Sequence, residues 1–353
     1  MDYRALGNSG LQVSAMTLGT MTFGGKGGFA KVGDTDVAGA RRQLDMAIDA
    51  GINIVDTANM YSAGASEEIL GEAIKGRRDQ LLIATKVRFT MAPGPNGHGL
   101  SRRHVIEQCE ASLRRLGVDH IDLFQAHEWD GLVPVEETLA AFDTLVQQGK
   151  VRYIGCSNFT GWQLMKSLAA SDRNGWSRYV SQQIHYTLQA REAEYELLPI
   201  AVDQGVGAMI FSPLAGGLLS GKFRRNQPAP TNARKLGDWD EPPVRDAEVF
   251  YDLVELLVEL GQAHGVSAAQ VAIAWLLTRP GISTVVIGAR TDEQLTDNLA
   301  AAHLVLSPED LSRLEQATRP PLIYPYWHQQ QATLDRLSAA DRVLLGPYLN
   351  SGA

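Results

Sequence analysis

Residues 38–56 have the sequence AGARRQLDMAIDAGINIVD, which contains a helix, a stop signal and a strand in one short stretch. The amphipathic run Ala38–Ala50 predicts a helix, and Gly51 is a typical residue to end it. The apolar run Ile52–Asp56 then predicts a β-strand. Because a helix can carry the chain between two parallel strands, this stretch indicates one unit of an α/β fold.

The same alternation continues along most of the chain. Seven further strands are predicted at Ala15–Leu18, Leu81–Thr85, Ile121–Gln125, Tyr153–Cys156, Tyr179–Gln183, Ala208–Phe211 and Thr284–Ile287. Amphipathic helices are predicted at Glu67–Lys75, Arg102–Leu116, Val135–Gln148, Gly161–Ser171, Tyr195–Gln204, Ser267–Leu277 and Thr291–Ala302. Ser101, Ser267 and Thr291 stand where helix N-caps belong.

Eight strands that alternate with helices fit either an open, doubly wound sheet or a closed barrel. The count of eight favours the barrel. No G-x-G-x-x-G turn follows the first strand, which argues against a dinucleotide-binding open sheet. We therefore predict an α/β protein with a (β/α)8 TIM barrel. We expect one domain over residues 1–353, with the barrel at about 14–303 and a tail at 304–353.

A few segments interrupt the alternation. Tyr3–Val13 predicts a β-hairpin that plugs the barrel floor. Two long loops, Arg88–Gly99 and Lys222–Pro243, follow the third and seventh strands, and an extra helix is predicted near Ala247–His264. Long loops in compact domains are often functional, so we expect these loops to lie near the site.

Composition limits the possible classes of function. Apolar residues make up 44% of the chain and charged residues 20%, which is typical of a soluble globular enzyme. The net charge of -8 argues against a general nucleic-acid binder. No apolar run reaches the roughly 18 residues that a membrane span needs, and the N-terminus lacks a signal-peptide pattern. Cys109 and Cys156 have no metal-ligand spacing, so we expect buried thiols in a cytoplasmic protein.

Four ionisable side chains fall at or just after the ends of successive predicted strands. Asp56 ends the second strand, Tyr61 lies five residues later, Lys86 follows the third strand and His127 follows the fourth. The carboxyl ends of barrel strands share one rim, where barrel enzymes carry their active sites. We therefore expect these four groups to converge.

The four groups suit the reduction of a carbonyl. Hydride addition leaves an alkoxide, so a proton donor must lie within about 3 Å of the oxygen. Tyr61 can give this proton, although a free tyrosine has a pKa of about 10. An adjacent Lys86 ammonium would favour the phenolate and lower that pKa. Asp56 would compensate the buried cation, and His127 would orient the carbonyl oxygen by a hydrogen bond.

Four further stretches carry a specific combination of residues. They are LGTMTFG at 18–24, DAGINIVDTANMY at 49–61, IATKV at 83–87 and LGVDHIDL at 116–123. With them the chain resembles the aldo-keto reductases, and matching stretches run from Tyr3 to about residue 303. Asn59 replaces the acidic residue usual in the family, and Ser62 the usual glycine. The resemblance implies a catalytic tetrad of Asp56, Tyr61, Lys86 and His127.

The resemblance also implies a nicotinamide cofactor that lies across the barrel rim. Ser157, Asn158 and Gln183 match the carboxamide-binding positions, and Phe211 the residue on which the ring stacks. Arg290 is the natural partner of a 2′-phosphate, so NADPH is expected as the cofactor and NADP+ as its oxidised form. The remaining residues expected at the cofactor are Gly19, Thr20, Met21, Asp56, Ser212, Pro213, Leu214, Gly216, Leu218, Lys222, Gly288, Gln294, Asp297 and Asn298.

The substrate is expected to be a small carbonyl compound held in a partly apolar pocket. Phe23, Tyr61, His127 and Trp129 are the predicted lining residues. The aromatic residues of the tail could add to this pocket if the tail folds over the rim or into a neighbouring subunit. These residues are Tyr324, Tyr326 and Trp327.

Other functions also fit the sequence. A metal-dependent barrel hydrolase would use Asp56, His127 and His185, but no H-x-H or C-x-x-C pair is present. A sensor or regulatory module could keep both cofactor and tetrad and turn over slowly. The same residues could also run the reaction as an alcohol oxidation. The sequence does not predict the oligomeric state.

Overall fold

The computed structural model describes residues 1–228, 242–332 and 334–349. Residues 229–241 of the predicted loop Lys222–Pro243 lie outside the described residues. The strands are β1 (Tyr3–Ala5), β2 (Gln12–Ser14), β3 (Met16–Gly19), β4 (Ile54–Asp56), β5 (Leu82–Val87), β6 (Ile121–Ala126), β7 (Val151–Ser157), β8 (Tyr179–His185), β9 (Gly207–Phe211) and β10 (Ile282–Ile287).

Helices alternate with the strands from β3 onwards. They are α1 (Val37–Asp49), α2 (Ala65–Ala73), α3 (Arg102–Leu116), α4 (Val135–Gln147), α5 (Gly161–Asn174), α6 (Leu197–Gln204), α7 (Ala247–His264), α8 (Ala268–Leu277), α9 (Asp292–Ala300), α10 (Pro308–Thr318), α11 (Tyr326–Ala332) and α12 (Asp341–Leu345).

Eight of the strands form a closed, all-parallel barrel. Its order is β10-β3-β4-β5-β6-β7-β8-β9, and β9 pairs with β10 to close it. The predicted (β/α)8 TIM barrel is therefore confirmed, as is the antiparallel N-terminal hairpin of β1 and β2. The extra helix predicted near Ala247–His264 is α7. The division into one domain with the barrel at about 14–303 stays a prediction.

Local signals explain where several helices begin and end. The hydroxyls of Ser101, Ser267 and Thr291 each accept a hydrogen bond from a backbone N–H in the first turn of α3, α8 and α9. Each contact satisfies one of the N–H groups that a helix start leaves unpaired. At the other end of α3, Gly117 adopts the left-handed conformation (φ 64°) that glycine takes without steric cost.

The hairpin closes the N-terminal end of the barrel. Leu6 and Val13 are fully buried and belong to an inner apolar cluster with side chains from five barrel strands. Gly7 fits this position because its φ is +59° and an added Cβ would lie 2.4 Å from the carbonyl oxygen of Gly205. The hairpin therefore fills the floor as predicted. The barrel members of the cluster are Ile54, Ala84, Leu123, Met209 and Val286.

Several predicted boundaries differ from the structure by a few residues. β5 continues to Val87 and β8 to His185, so both strands are longer than their apolar runs. At β5 the reason is that Lys86, a polar residue just beyond the predicted end, is buried inside the barrel and not in a loop, and at β8 the strand adds the buried Ile184 and the half-buried His185. The start of α6 at Tyr195 was wrong, because a short 3-10 turn (Glu192–Glu194) precedes the helix, which begins at Leu197.

The first helix of the tail, α10, is fixed to the barrel by buried charges. The Arg191 guanidinium donates to Glu194 through Nε and Nη2 (both 2.9 Å). It also reaches Glu315 Oε2 (2.8 Å) and Thr318 Oγ1 (3.0 Å) on α10. The side chains of Arg191 and Glu194 are almost completely buried. Such a network resists separation of α10, because any member left alone would be a buried charge.

Among the aromatic residues of the tail, Tyr326 contacts Tyr195 and not the predicted tetrad. The Tyr326 ring stacks on the Tyr195 ring with centroids 5.6 Å apart, and its hydroxyl donates to Tyr195 O. Tyr324 and Trp327 remain largely exposed. Within the described part of the tail, these contacts do not support a tail folded over the tetrad.

The two cysteines are free and buried, one in α3 and one in β7. Burial raises the pKa of the Cys109 thiol to about 12, and it raises the pKa of Cys156 as well. Both side chains therefore remain thiols at neutral pH. In the part of the chain that the structure describes, no helix combines the length and apolar character required to cross a membrane.

Candidate active site

The alternation of side chains along the strands places three polar residues inside the barrel. Ile54, Ala84 and Leu123 belong to the inner apolar cluster at the floor. Because side chains two residues apart point to the same face of a strand, Asp56, Lys86 and Gln125 also point inwards. They lie nearer the C-terminal ends of β4, β5 and β6 and form a polar layer above the apolar floor. All three are buried.

The Lys86 ammonium and the Asp56 carboxylate form a buried ion pair. Lys86 Nζ donates to Asp56 Oδ2 and to the carbonyl oxygen of Thr57 (2.8 Å). Asp56 Oδ1 accepts from Nε2 of Gln125 (3.1 Å) and of Gln183 (2.9 Å). Burial alone would lower the pKa of Lys86, but attraction to Asp56 and Tyr61 outweighs it and raises the pKa. Lys86 is therefore a permanent cation at neutral pH.

Tyr61 lies between this cation and His127. Lys86 Nζ is 5.2 Å from the centre of the Tyr61 ring and interacts with the Tyr61 side chain through charge and a hydrogen bond. The Tyr61 and His127 ring centres are 5.9 Å apart, with the planes at 77°. The structure thus brings together all four residues that the sequence analysis placed in the tetrad. Their catalytic roles remain a proposal.

His127 is neutral at physiological pH. Burial, followed by the charges of Lys86 and Arg88, lowers the pKa of its imidazole well below the usual range. The ring follows β6, and only 9% of the residue is exposed. A neutral imidazole has one N–H donor and one acceptor nitrogen. His127 can therefore donate a hydrogen bond without adding a second positive charge.

The lowered pKa of His127 predicts how stability depends on pH. In the unfolded chain a histidine takes up a proton near pH 6.5, whereas folded His127 stays neutral well below that value. We therefore expect the free energy of unfolding to fall as the pH drops below about 6.5, by up to about 1.4 kcal/mol per pH unit for this group. Urea unfolding of the wild type and of His127→Asn between about pH 5 and 7.5 measures the effect.

The substitution isolates His127 from other acid-sensitive groups. Burial also lowers the pKa of His104. Because His104 is present in both proteins, its contribution to the pH dependence of stability cancels in the comparison. The variant should lose less stability on acidification than the wild type. If the free energy of unfolding fell equally with pH in the two proteins, that result would contradict the buried, neutral state of His127.

A strained turn follows Tyr61. Ser62 (φ 49°) and Ala63 (φ 56°) adopt the left-handed conformation that non-glycine residues avoid, and Gly64 (φ 95°) follows them. Each such non-glycine residue costs on the order of 1 kcal/mol, so surrounding contacts must hold the turn. One contact is a hydrogen bond from Ser62 Oγ to the carbonyl oxygen of Phe23 (2.8 Å).

A second support for this turn is a buried ion pair between α2 and α3. Arg115 Nε donates to Glu67 Oε2 (2.6 Å), and Thr85 Oγ1 donates to Glu67 Oε1 (2.5 Å). The Glu67 side chain has no exposed surface. The Arg115 side chain also packs against Gly64, where an added Cβ would lie 2.9 Å from its Cδ. The ion pair therefore fixes the backbone that presents Tyr61.

The residues expected at the nicotinamide end of a cofactor lie at the ends of adjacent strands. Ser157 ends β7, Gln183 lies in β8 and Phe211 ends β9. Asn158 has a left-handed backbone (φ 56°) and donates from Nδ2 to the carbonyl oxygen of His127 (3.2 Å). Gln183 has a role that the sequence analysis missed, because its amide also binds Asp56.

The residues expected at the phosphates lie in the turn after β9. Ser212, Ala215, Gly216 and Gly217 all have positive φ values, and Ser212 Oγ accepts from the N–H of Gly216 (3.0 Å). An added Cβ at Gly217 would meet nothing within 4 Å, so the backbone is open to an approaching ligand. Pro213 and Leu218 are buried, Leu214 is half-buried and Lys222 is exposed.

The residues expected at the adenosine end surround the start of α9. Arg290 is exposed, and its N–H donates to Gln294 Oε1 (3.0 Å). Asp297 accepts from Ser267 and Gln270 of α8, and Asn298 donates to the carbonyl oxygen of Gly288. Asp297 and Asn298 therefore fix α9 to its neighbours, and their contact with adenine stays a prediction. Gly19, the last residue of β3, lies next to Gly288, where an added Cβ would be 3.7 Å from the Gly19 carbonyl oxygen, and Thr20 and Met21 follow it.

The aromatic walls next to the tetrad differ from those predicted. Phe29 lies 5.5 Å from the Tyr61 ring and Phe89 lies 4.9 Å from the His127 ring, both between ring centres. Phe23 has no exposed surface and packs in the core, so its place in the pocket is not supported. Trp129 packs edge-on against the rings of Phe159 and Trp162, at the outer part of the rim.

The described residues do not support the alternative of a metal-dependent hydrolase. The described residues contain no group of three or more His, Cys, Asp or Glu side chains that could hold a metal ion. The Asp56 carboxylate is engaged by Lys86 and two glutamine amides.

Comparison with known proteins gives a consistent result. Residues 15–319 match the family model described as the aldo/keto reductase family. The chain is 42% identical to the uncharacterised oxidoreductase YrpG of Bacillus subtilis, over 89% of this chain and 95% of that protein. It is 35% identical to a probable voltage-gated potassium channel subunit beta of Arabidopsis thaliana, over 90% of this chain and 96% of that protein. It is 34% identical to versiconal hemiacetal acetate reductase of Aspergillus parasiticus, over 92% of this chain and 99% of that protein. The chain therefore belongs to the aldo/keto reductase family.

Proposed function

We propose that this protein is an NADPH-dependent oxidoreductase that reduces aldehydes or ketones to alcohols, with Tyr61 as the proton donor. The family and the oxidoreductase relatives support carbonyl reduction in general. The observation that carries the finer proposal is the position of the Tyr61 ring, 5.2 Å from a fully buried ammonium and beside a neutral imidazole.

The proposed reaction needs one hydride and one proton. The bound cofactor supplies the hydride to the carbonyl carbon. His127 and the Tyr61 hydroxyl hold the carbonyl oxygen, and the phenol O–H bond breaks as the proton passes to that oxygen. The Lys86 cation stabilises the phenolate left behind, and a proton from water restores the phenol.

The other polar residues keep Lys86 in place for this task. A buried ammonium is costly unless it is paired, and Asp56 and the Thr57 carbonyl provide that pairing. Gln125 and Gln183 occupy the second carboxylate oxygen, so Asp56 cannot turn away from Lys86 without losing both hydrogen bonds. The four residues therefore act as one rigid unit beneath Tyr61.

The rim residues fit a nicotinamide dinucleotide. Ser157 and Gln183 offer short polar groups beside the tetrad, and the half-buried Phe211 offers an aromatic face. The open backbone at Gly217 suits close approach of a pyrophosphate. These positions lie on consecutive strands, so a single extended ligand could bridge them.

Arg290 provides a test of the preference for NADPH. The exposed guanidinium at the start of α9 is expected to bind the 2′-phosphate, which NADH lacks. Arg290→Ala should therefore weaken NADPH binding by about 10- to 100-fold and leave NADH binding nearly unchanged. Quenching of tryptophan fluorescence during titration with each nucleotide gives the two Kd values.

Arg42 offers a matched control at the same end of α9. Its Nε pairs with Asp292 (3.0 Å) on the surface, so Arg42→Ala also removes one positive charge there. If Arg42→Ala weakened NADPH binding as much as Arg290→Ala, the effect would be general electrostatics and the assignment of Arg290 would be wrong.

The central experiment is NADPH oxidation measured with a panel of aldehydes, quinones and ketones. Turnover with any class supports the reductase. A sensor or regulatory function remains the second candidate, because the chain is similar to a probable potassium channel subunit beta. A protein of that kind would bind NADPH tightly and oxidise it extremely slowly with every carbonyl offered.

A further inference from the structure

Arg88 lies at the rim directly above the catalytic lysine. In β5, Ala84 belongs to the inner apolar cluster and Leu82 packs against it. Lys86, further along the strand, points into the polar layer. Arg88 is two residues beyond Lys86 and directly follows the end of β5. The sequence analysis placed Arg88 only at the start of a long loop.

The surroundings of Arg88 place its charge next to the carbonyl site. The guanidinium carbon is 5.3 Å from the centre of the Phe89 ring, and the Phe89 ring packs edge-on against the His127 ring with centroids 4.9 Å apart. After burial and Lys86, Arg88 is the third cause of the lowered pKa of His127. Arg88 and His127 therefore share Phe89 as a neighbour.

Among the described residues, the guanidinium of Arg88 has one distant ionic partner and no side-chain hydrogen bond. Its Nε is buried and has no hydrogen-bond partner among the described residues. The nearest carboxylate, that of Glu128, is 4.0 Å from Nη1 and is itself 44% exposed. By contrast, Arg78 reaches Asp122 at 2.7 Å. A partly buried arginine with unused donors indicates an acceptor that arrives with a ligand.

We propose that Arg88 binds a carboxylate of the substrate, so that the preferred substrates are carbonyl compounds that also carry an acidic group. This inference rests on the proposed carbonyl reductase function. A guanidinium and a carboxylate form two parallel N–H···O hydrogen bonds, which fixes the orientation of the ligand. Because Arg88 and His127 both contact Phe89, we expect a substrate about as long as one aromatic ring to span the two groups.

The test uses two aldehydes that differ in charge and by one methyl group. Both 4-carboxybenzaldehyde and its neutral methyl ester, methyl 4-formylbenzoate, have one ring between the two groups. In Arg88→Gln, kcat/KM for the acid should fall about 10- to 100-fold further than kcat/KM for the ester, mainly through KM. Because both rates come from one preparation, partial misfolding cancels in the ratio. Arg88→Lys should recover part of the loss, since it keeps the charge.

Glu128→Gln serves as the second variant. It removes the nearest carboxylate, which would compete with the substrate for Arg88, so KM for the acid should stay the same or fall. An equal loss for acid and ester in Arg88→Gln would overturn the proposal. A rise of KM for the acid in Glu128→Gln would also count against it.

The proposal can be separated from the reductase function itself. If the wild type reduced no carbonyl compound of the panel, the proposed function would fail. Binding of 4-carboxybenzaldehyde, followed by tryptophan fluorescence, would still test Arg88. Equal Kd values in the wild type and Arg88→Gln would refute the carboxylate site, and a Kd at least about 10-fold weaker in the variant would support it.

Discussion

Replacing Tyr61 with phenylalanine is expected to lower kcat for carbonyl reduction by about 100- to 10,000-fold, because it removes the proton donor and little else. The ring would remain between Lys86 and His127, so the shape of the site should persist. NADPH oxidation at saturating substrate gives kcat, and fluorescence titration gives the Kd for NADPH, which should change less than about threefold.

Tyr195→Phe is a matched control on the outside of the barrel. Its hydroxyl donates to the carbonyl oxygen of Pro321 in the tail and has no contact with the tetrad among the described residues. This variant should keep wild-type kcat. A Tyr61→Phe enzyme with undiminished kcat would show that another group delivers the proton and would refute the proposed mechanism.

Removing the positive charge that faces Glu67 should have the largest effect on stability. In Arg115→Met, Glu67 keeps only the hydroxyl of Thr85, and its side chain has no exposed surface. A buried carboxylate that loses its partner costs about 3–5 kcal/mol. Urea unfolding should therefore show this decrease in the free energy of unfolding. We also expect kcat to fall, because the turn that presents Tyr61 loses its support at Gly64.

Two further variants distinguish a buried charge from a lost contact. Adding Glu67→Gln to Arg115→Met removes the unpaired charge and should restore part of the stability. The exposed pair of Arg103 and Glu107 within α3 provides the comparison, and Arg103→Met should cost less than about 1 kcal/mol. Equal losses in Arg115→Met and Arg103→Met would contradict the importance assigned to the buried pair.

The sequence predicts the barrel well because the signals are local. Apolar runs and capping residues determine the order of strands and helices, and α3 has the same bounds as its amphipathic pattern. The grouping of Asp56, Tyr61, Lys86 and His127 was also predictable, since each residue stands at a strand end or shortly after one. Strand ends were predicted less well, because polar residues near them, such as Lys86, are buried by the closed barrel.

The supporting residues could not be predicted for a physical reason. Glu67 lies in the first turn of a helix, where a glutamate is ordinarily exposed, and only its pairing with Arg115 across two helices makes it buried. Phe29 and Phe89 come from separate loops, so their approach to Tyr61 and His127 depends on the tertiary fold. Gln125 was predicted only as the end of a strand, and its hydrogen bond to Asp56 follows from barrel closure.

The buried bonds of Arg191 to α10 also bear on where this chain can be shortened. A fragment that stopped at the end of α9 would remove Glu315 and Thr318, and with them two of the acceptors around a guanidinium that water cannot reach. We infer that the smallest independently folding piece must extend past Thr318. For anyone designing truncations or fusions, the safe junction therefore lies beyond the last barrel helix, α9, by an entire additional helix.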